Sequence, residues 1–159
     1  MSGLGGLVQI AMIAALCALL IWAAASDMQR YVIPNRICLA LLALYPGYAL
    51  TLPLTQIGIA AAIAVGVFLF GAMLFSYGVM GGGDVKLLAV TSLWAGGTFF
   101  PAFVILTSIA GGLLAISWGP VLCRFFPAIA MAKSASGRPA VPYGIAIAAG
   151  GLFVAANLY

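Results

Sequence analysis

Asp27 and Asp84 are the whole acidic inventory of this 159-residue chain. No histidine is present, which removes Ser-His and Cys-His nucleophilic sites, the H-E-x-x-H zinc proteases and most other zinc chemistry. Cys17, Cys38 and Cys123 are widely scattered and lack C-x-x-C spacing, so all three read as structural. Neither a metal site nor a cofactor is expected from such a set. What remains is acid–base chemistry between two carboxyls. Two like charges brought close cannot both ionise easily, so such a pair shares one proton. The ionised member can then activate water while the neutral one polarises a carbonyl.

The elements that position these residues have lipid as their solvent. Hydrophobic residues make up 66% of the chain and charged ones 5%, with a mean hydropathy of +1.28; a soluble domain carries about 25% charged residues. Apolar stretches fall at about residues 4–25, 37–54, 57–77, 85–94, 102–118 and 141–158, against a need of roughly 20 helical residues per crossing. The fourth is short, and Gly96, Gly97 and Pro101 interrupt the chain after it. The expectation is an all-α membrane protein of about six transmembrane helices forming one domain over residues 1–159, with four crossings plus a re-entrant hairpin as the rival. The first stretch lacks a basic flank and is too long for a signal-peptide core, so it reads as a retained span. A polar turn is expected over Ser26–Arg36.

Charge placement supplies an orientation. Arg30 and Arg36 follow the first span, Lys86 follows the third, and Arg124, Lys133 and Arg138 lie between the last two. These three connections share one side, which the positive-inside rule makes cytoplasmic, giving an N-out, C-out topology. Residues 121–140 mix basic residues with apolar ones and read as an interfacial cytoplasmic segment. The net charge of +4 is therefore an orientation signal and not a nucleic-acid footprint. Asp27 and Asp84 fall at the same cytoplasmic boundary, where they are expected to approach within reach of one bridging water.

Each aspartate also has a plain reading as a solvated helix-end residue, Asp84 as a helix start and Asp27 as a partner of Arg30 one turn on. Asp84 follows Gly81, Gly82 and Gly83, which read either as a flexible connector or as backbone free to take conformations closed to other residues and open to a substrate's close approach. Lys86 lies about 200° around a helix from Asp84 and reads as snorkelling to headgroups. Pro34–Asn35 and Pro142-Tyr143-Gly144 sit where helices would begin.

Taken together, SDMQRYVIPNR, GGGDVKLLA and VPYGIAIAAG, in that order, resemble the type IV prepilin peptidase family of G-x-G-D intramembrane aspartic peptidases. They are most similar to the small, peptidase-only form associated with tight-adherence (Flp-type) pili. The resemblance implies that Asp84, after Gly81, Gly82 and Gly83, and Asp27, ahead of Ile33, Pro34 and Asn35, are the catalytic pair. It implies that the I-P-N element, Lys86, and Pro142, Tyr143 and Gly144 shape the site or substrate cleft. It further implies a prepilin substrate with a short basic leader ahead of an apolar helix, the pilus assembly machinery and membrane lipid as partners, no nucleic acid, and a multi-pass protein of the bacterial inner membrane whose active site faces the cytoplasm. Larger members carry an added N-terminal region with paired cysteines linked to N-methylation. Those pairs are missing here, so no methyltransferase activity is expected. Two readings of other classes stand beside it. One is a small ion-coupled transporter using the aspartates as ion sites, although such sites usually lie near the midplane and within repeats. The other is a non-catalytic membrane subunit of a secretion system.

Overall fold

A computed structural model describes residues 2–118 and 141–158. The described chain is all helical: α1 (Ser2–Arg30), α2 (Asn35–Ala49), α3 (Leu54–Ser76), α4 (Gly82–Trp118) and α5 (Tyr143–Asn157). Segments of α1, α3 and α4, namely Gly6–Arg30, Leu54–Ser76 and Gly82–Ser117, are each long and apolar enough to cross a membrane. Their outer faces carry bare apolar side chains such as Ile21, Trp22, Phe70, Leu113 and Ile116, as expected of surface that meets lipid and not water. The chain is an all-α membrane protein.

Proline marks where helices begin. Pro34, Pro53 and Pro142 are the N-cap residues of α2, α3 and α5, positions where a missing N–H leaves no intrahelical bond unmade. The end of α1 is set differently. Tyr31 takes a left-handed backbone (φ 52°) and its N–H bonds the Asp27 carbonyl at 2.9 Å, which is the αL way of closing a helix. The polar turn is therefore shorter than Ser26–Arg36. Ser26 to Arg30 continue α1, because nothing among them breaks a helix, and Asp27 belongs to its last turns.

The segments expected at 85–94 and 102–118 are two helical limbs of α4 that meet at a sharp kink at Gly96. Gly96 adopts φ 57°, ψ −165°, a region essentially restricted to glycine. Gly97 and Pro101 stay helical beyond it, since a proline close to a helix start displaces few bonds. Contacts show that the chain reverses there. A Cβ on Gly71 in α3 would lie 2.8 Å from Val85, and one on Gly97 would lie 3.0 Å from Ile59, so residues 82–95 run antiparallel to α3. The second limb, 97–118, runs back along α5: Phe103 lies against Gly150, and Gly111 against Tyr143. Both limbs thus join the same two ends of the bundle. The segment expected to be interfacial, 121–140, lies outside the described residues.

α5 occupies the middle. Gly150 meets Phe103 of the second limb, while Gly151 meets Leu20 of α1 and Thr91 of the first limb, each side chain 2.8 Å from where a Cβ would stand. Glycine here permits the close backbone approach on which helix packing in lipid depends. At the far end of the first limb, Trp94 donates its indole N–H to the Leu41 carbonyl of α2 at 3.1 Å and packs between the rings of Tyr45 and Tyr48, at centroid distances of 5.6 and 5.3 Å. This aromatic plug pins the first limb to α2 and leaves its other end, with Asp84, to meet α1 and α5.

Candidate active site

Three chain segments distant in sequence converge at one end of the bundle. Asp27, in the last turns of α1, is 5% exposed, and its Oδ2 accepts the Gly144 backbone N–H at 2.7 Å. That donor is one of the unpaired N–H groups of the first turn of α5. Gly144 has no space for a side chain, because a Cβ would lie 2.7 Å from Asp27 Oδ2 and 3.0 Å from Asp27 Cβ and Cγ. A backbone amide thus meets the carboxylate face to face. Pro142, fully buried, holds the turn that aims it.

Asp84 stands in the first turn of α4, partly buried, where the positive end of the helix dipole favours an anion. It is within electrostatic reach of Asp27 across 57 residues of sequence (84 minus 27). The glycines before it do not supply unusual backbone. Among the described residues only Gly78 and Gly96 are glycines with positive φ, and Gly82 and Gly83 are helical. Their part is close contact. A Cβ on Gly81 would lie 2.7 Å from Asp84 Oδ2, one on Gly82 would lie 3.3 Å from the Phe75 ring, and one on Gly83 would lie 3.2 Å from Ile33 Cβ and 3.5 Å from the Ile33 carbonyl. Of the three, Gly83 is the one whose missing side chain lets the 31–34 link lie on the start of α4.

The link itself is held at both ends. Ser26 Oγ donates to the Val32 carbonyl at 2.9 Å, Ile33 is buried, and Lys86 Nζ donates to Asn35 Oδ1 at 2.9 Å. Lys86 points away from Asp84, as the 200° spacing requires. Its ammonium, however, joins α4 to the start of α2 instead of reaching only for headgroups. The structure therefore gathers Asp27, Ile33, Asn35, Gly81, Gly83, Asp84, Lys86 and Gly144 at one end, together with Arg30 and Arg36 at the neighbouring ends of α1 and α2. Tyr143 stands slightly aside, 36% exposed, its ring against Gly111 of the second limb. The amide of Gly144 as the partner of Asp27 was not legible beforehand, because a backbone donor leaves no trace in residue type.

Two apolar clefts flank α3 within the bilayer. One, of about 520 Å³, lies between α2 and α3 with Asn35 and Lys86 at its mouth. The other, of about 790 Å³, lies between α3 and the second limb of α4, with Met80 and Tyr143 at its head.

No curated protein and no solved structure matches the sequence. A family model described as the type IV leader peptidase family matches residues 14–116, about two thirds of the chain. The matched stretch takes in both aspartates, the 31–34 link and the whole α3–α4 hairpin that carries the G-G-G-D turn. By that match, on an apolar helical bundle that carries both acidic side chains at one end, the chain belongs to the type IV leader peptidase family.

Proposed function

We propose that this peptidase is an aspartic endopeptidase that removes the short leader from type IV prepilins of the Flp-like kind, using Asp27 and Asp84 as its catalytic pair. The observation that carries the reading is the approach of the chain's only two carboxyls across 57 residues of sequence, within electrostatic reach of one another. One oxygen of Asp27 is engaged by the Gly144 amide, which fixes the rotamer and leaves the other oxygen for a water or a shared proton. The ionised carboxyl takes a proton from the attacking water while its neutral partner donates a hydrogen bond to the scissile carbonyl. The roles then exchange as the tetrahedral intermediate collapses and the amine leaves protonated. The scissile bond must be extended here, because the carbonyls of an intact helix are already engaged.

Orientation follows from charge. Arg30, Arg36 and Lys86 lie at the same end as the aspartates, and the remaining basic residues, Arg124, Lys133 and Arg138, precede α5, which starts at that end. This supports a multi-pass protein of the bacterial inner membrane with the site on the cytoplasmic side, both termini outside, and six crossings when the limbs of α4 count as two. A leader that is basic and cytoplasmic, followed by a helix in the bilayer, meets the site at its own depth.

The test uses purified wild type, Asp27→Asn and Asp84→Asn in proteoliposomes with a prepilin of the Flp type. Each isosteric change removes the division of acid and base work. A loss of cleavage of about 10³-fold or more is expected, from the 10²–10⁴-fold typical of positioned proton transfer. Near-normal processing by either variant sinks the reading.

A further inference from the structure

We infer that the cleft between α3 and the second limb of α4 is the docking groove for the substrate's apolar helix, with Gly66 and Gly112 as the bare surfaces that receive it. The inference rests on the leader-peptidase reading above and adds where the membrane-embedded part of the substrate lies.

Position comes first. The head of the groove is formed by Met80 and Tyr143. Each is the immediate neighbour of a glycine that touches a catalytic-pair carboxyl: Gly81, against Asp84 Oδ2, and Gly144, whose amide bonds Asp27. A chain leaving the aspartates toward the bilayer therefore enters this groove without crossing another element. Its walls run down α3 from Leu74 to Ile63, eleven residues or about 16 Å at 1.5 Å per residue.

Size follows. A volume of about 790 Å³ spread over that length gives a mean cross-section of about 50 Å², roughly half that of a helix 10–12 Å across. One face of a helix sinks in for three turns while the opposite face stays in lipid. A substrate that arrives laterally within the membrane needs that geometry.

The glycines give the third observation. Most glycines of the bundle core face a close neighbour, as Gly71, Gly150 and Gly151 do. Gly66 and Gly112, on opposite walls, do not: a Cβ on either would meet nothing within 4 Å. Glycine within a helix costs roughly 0.5–1 kcal/mol relative to alanine, and no packing among the described residues offsets that cost at these two positions. An incoming helix backbone would, since small residues are what let two helices approach in lipid.

Charge separates this groove from its neighbour. The cleft between α2 and α3 is capped by Lys86 and Asn35. A leader that is basic ahead of its apolar helix is repelled by an ammonium at that mouth. Among the described residues, the lining of the α3–α4 groove holds no cation.

The experiment pairs kinetics with capture. Gly66→Leu and Gly112→Leu, each built into open space, are assayed in proteoliposomes against a prepilin with its apolar helix intact. A photo-crosslinking residue is placed in turn at Val104 in the groove and at Val65 in the other cleft. KM is expected to rise at least tenfold in both leucine variants with kcat within about threefold, and the substrate helix is expected to be captured from Val104 and not from Val65. Wild-type kinetics in both variants overturn the groove, as does capture from Val65 alone. So does capture at Val104 of only lipid or of this chain's own residues 119–140. A wild-type protein that leaves the prepilin uncut refutes the leader-peptidase reading instead, and capture at Val104 still reports on the groove in that case.

Discussion

Gly144→Ala adds one methyl group directly against the Asp27 carboxyl. Built on the existing backbone, that carbon stands 2.7 Å from Asp27 Oδ2 and 3.0 Å from Asp27 Cβ and Cγ, whereas non-bonded carbons settle at about 3.5–4.0 Å. Relief of roughly 0.5–1 Å is needed. The Asp27 rotamer can swing, which breaks the 2.7 Å bond from the Gly144 amide, or α5 can move. α5 is held by buried Ala146, Ile147 and Ala148 just beyond, so the carboxylate gives way first. Losing a hydrogen bond to a charged group costs about 1.5–3 kcal/mol, and a 1 Å misplacement of a catalytic group costs on the order of 10²-fold in rate. The expected result is a fall of about 10²-fold in kcat/KM for prepilin cleavage. The control is Gly150→Ala, six residues along the same helix, where a Cβ meets Thr107 Oγ1 first and then Phe103 at 3.1 Å. Steric cost is at least as large there, about 1–3 kcal/mol of overpacking, but no carboxyl is involved. Thermal unfolding in detergent and cleavage in proteoliposomes are measured for both variants. If both lose activity only in proportion to their loss of stability, the Gly144 amide is not positioning Asp27 and the argument fails.

Three further outcomes are expected. Gly96→Ala should destabilise the protein by about 1–3 kcal/mol through backbone strain alone, since its Cβ would meet nothing within 4 Å; a stability equal to wild type in denaturant titration would show that the reversal at Gly96 tolerates side chains. Gly71→Ala should cost about 1–3 kcal/mol by pressing on Val85, and Val85→Ala should restore most of it; a double-mutant cycle with no coupling would place α3 and the first limb of α4 farther apart than described. Cysteine-accessibility labelling in a background lacking Cys17, Cys38 and Cys123 should place residue 133 on the cytoplasmic side, and periplasmic labelling there would reverse the proposed orientation.

Composition made the membrane class readable without effort, because a chain with so few charges has no alternative solvent. The aspartates stood out by elimination as the candidate pair, since no other acidic side chain and no histidine exists to compete with them. Helix ends were less so. Asp27 sits inside α1, not in a turn after it, because Asp-Met-Gln-Arg contains no residue that stops a helix, and the stop comes from the backbone of Tyr31. The glycine triplet misled for the opposite reason. Glycine permits both odd dihedrals and close contacts, and residue type alone does not say which a position uses; Gly83 uses the second, against Ile33. The amide of Gly144 was invisible because every residue except proline carries one.

The Asp27–Gly144 bond also bears on when activity can begin. Asp27 and Asp84 both leave the ribosome before Gly144, the later of them by 60 residues (144 minus 84). Until α5 docks between α1 and the two limbs of α4, Asp27 is without its amide partner, and the middle of the bundle, where Leu20 and Thr91 face Gly151, is unfilled. A nascent peptidase inserted as far as the α4 hairpin thus holds both acids yet has not assembled them. On the proposed function, docking of α5 is therefore the step after which the Asp27 carboxyl is held by its amide partner.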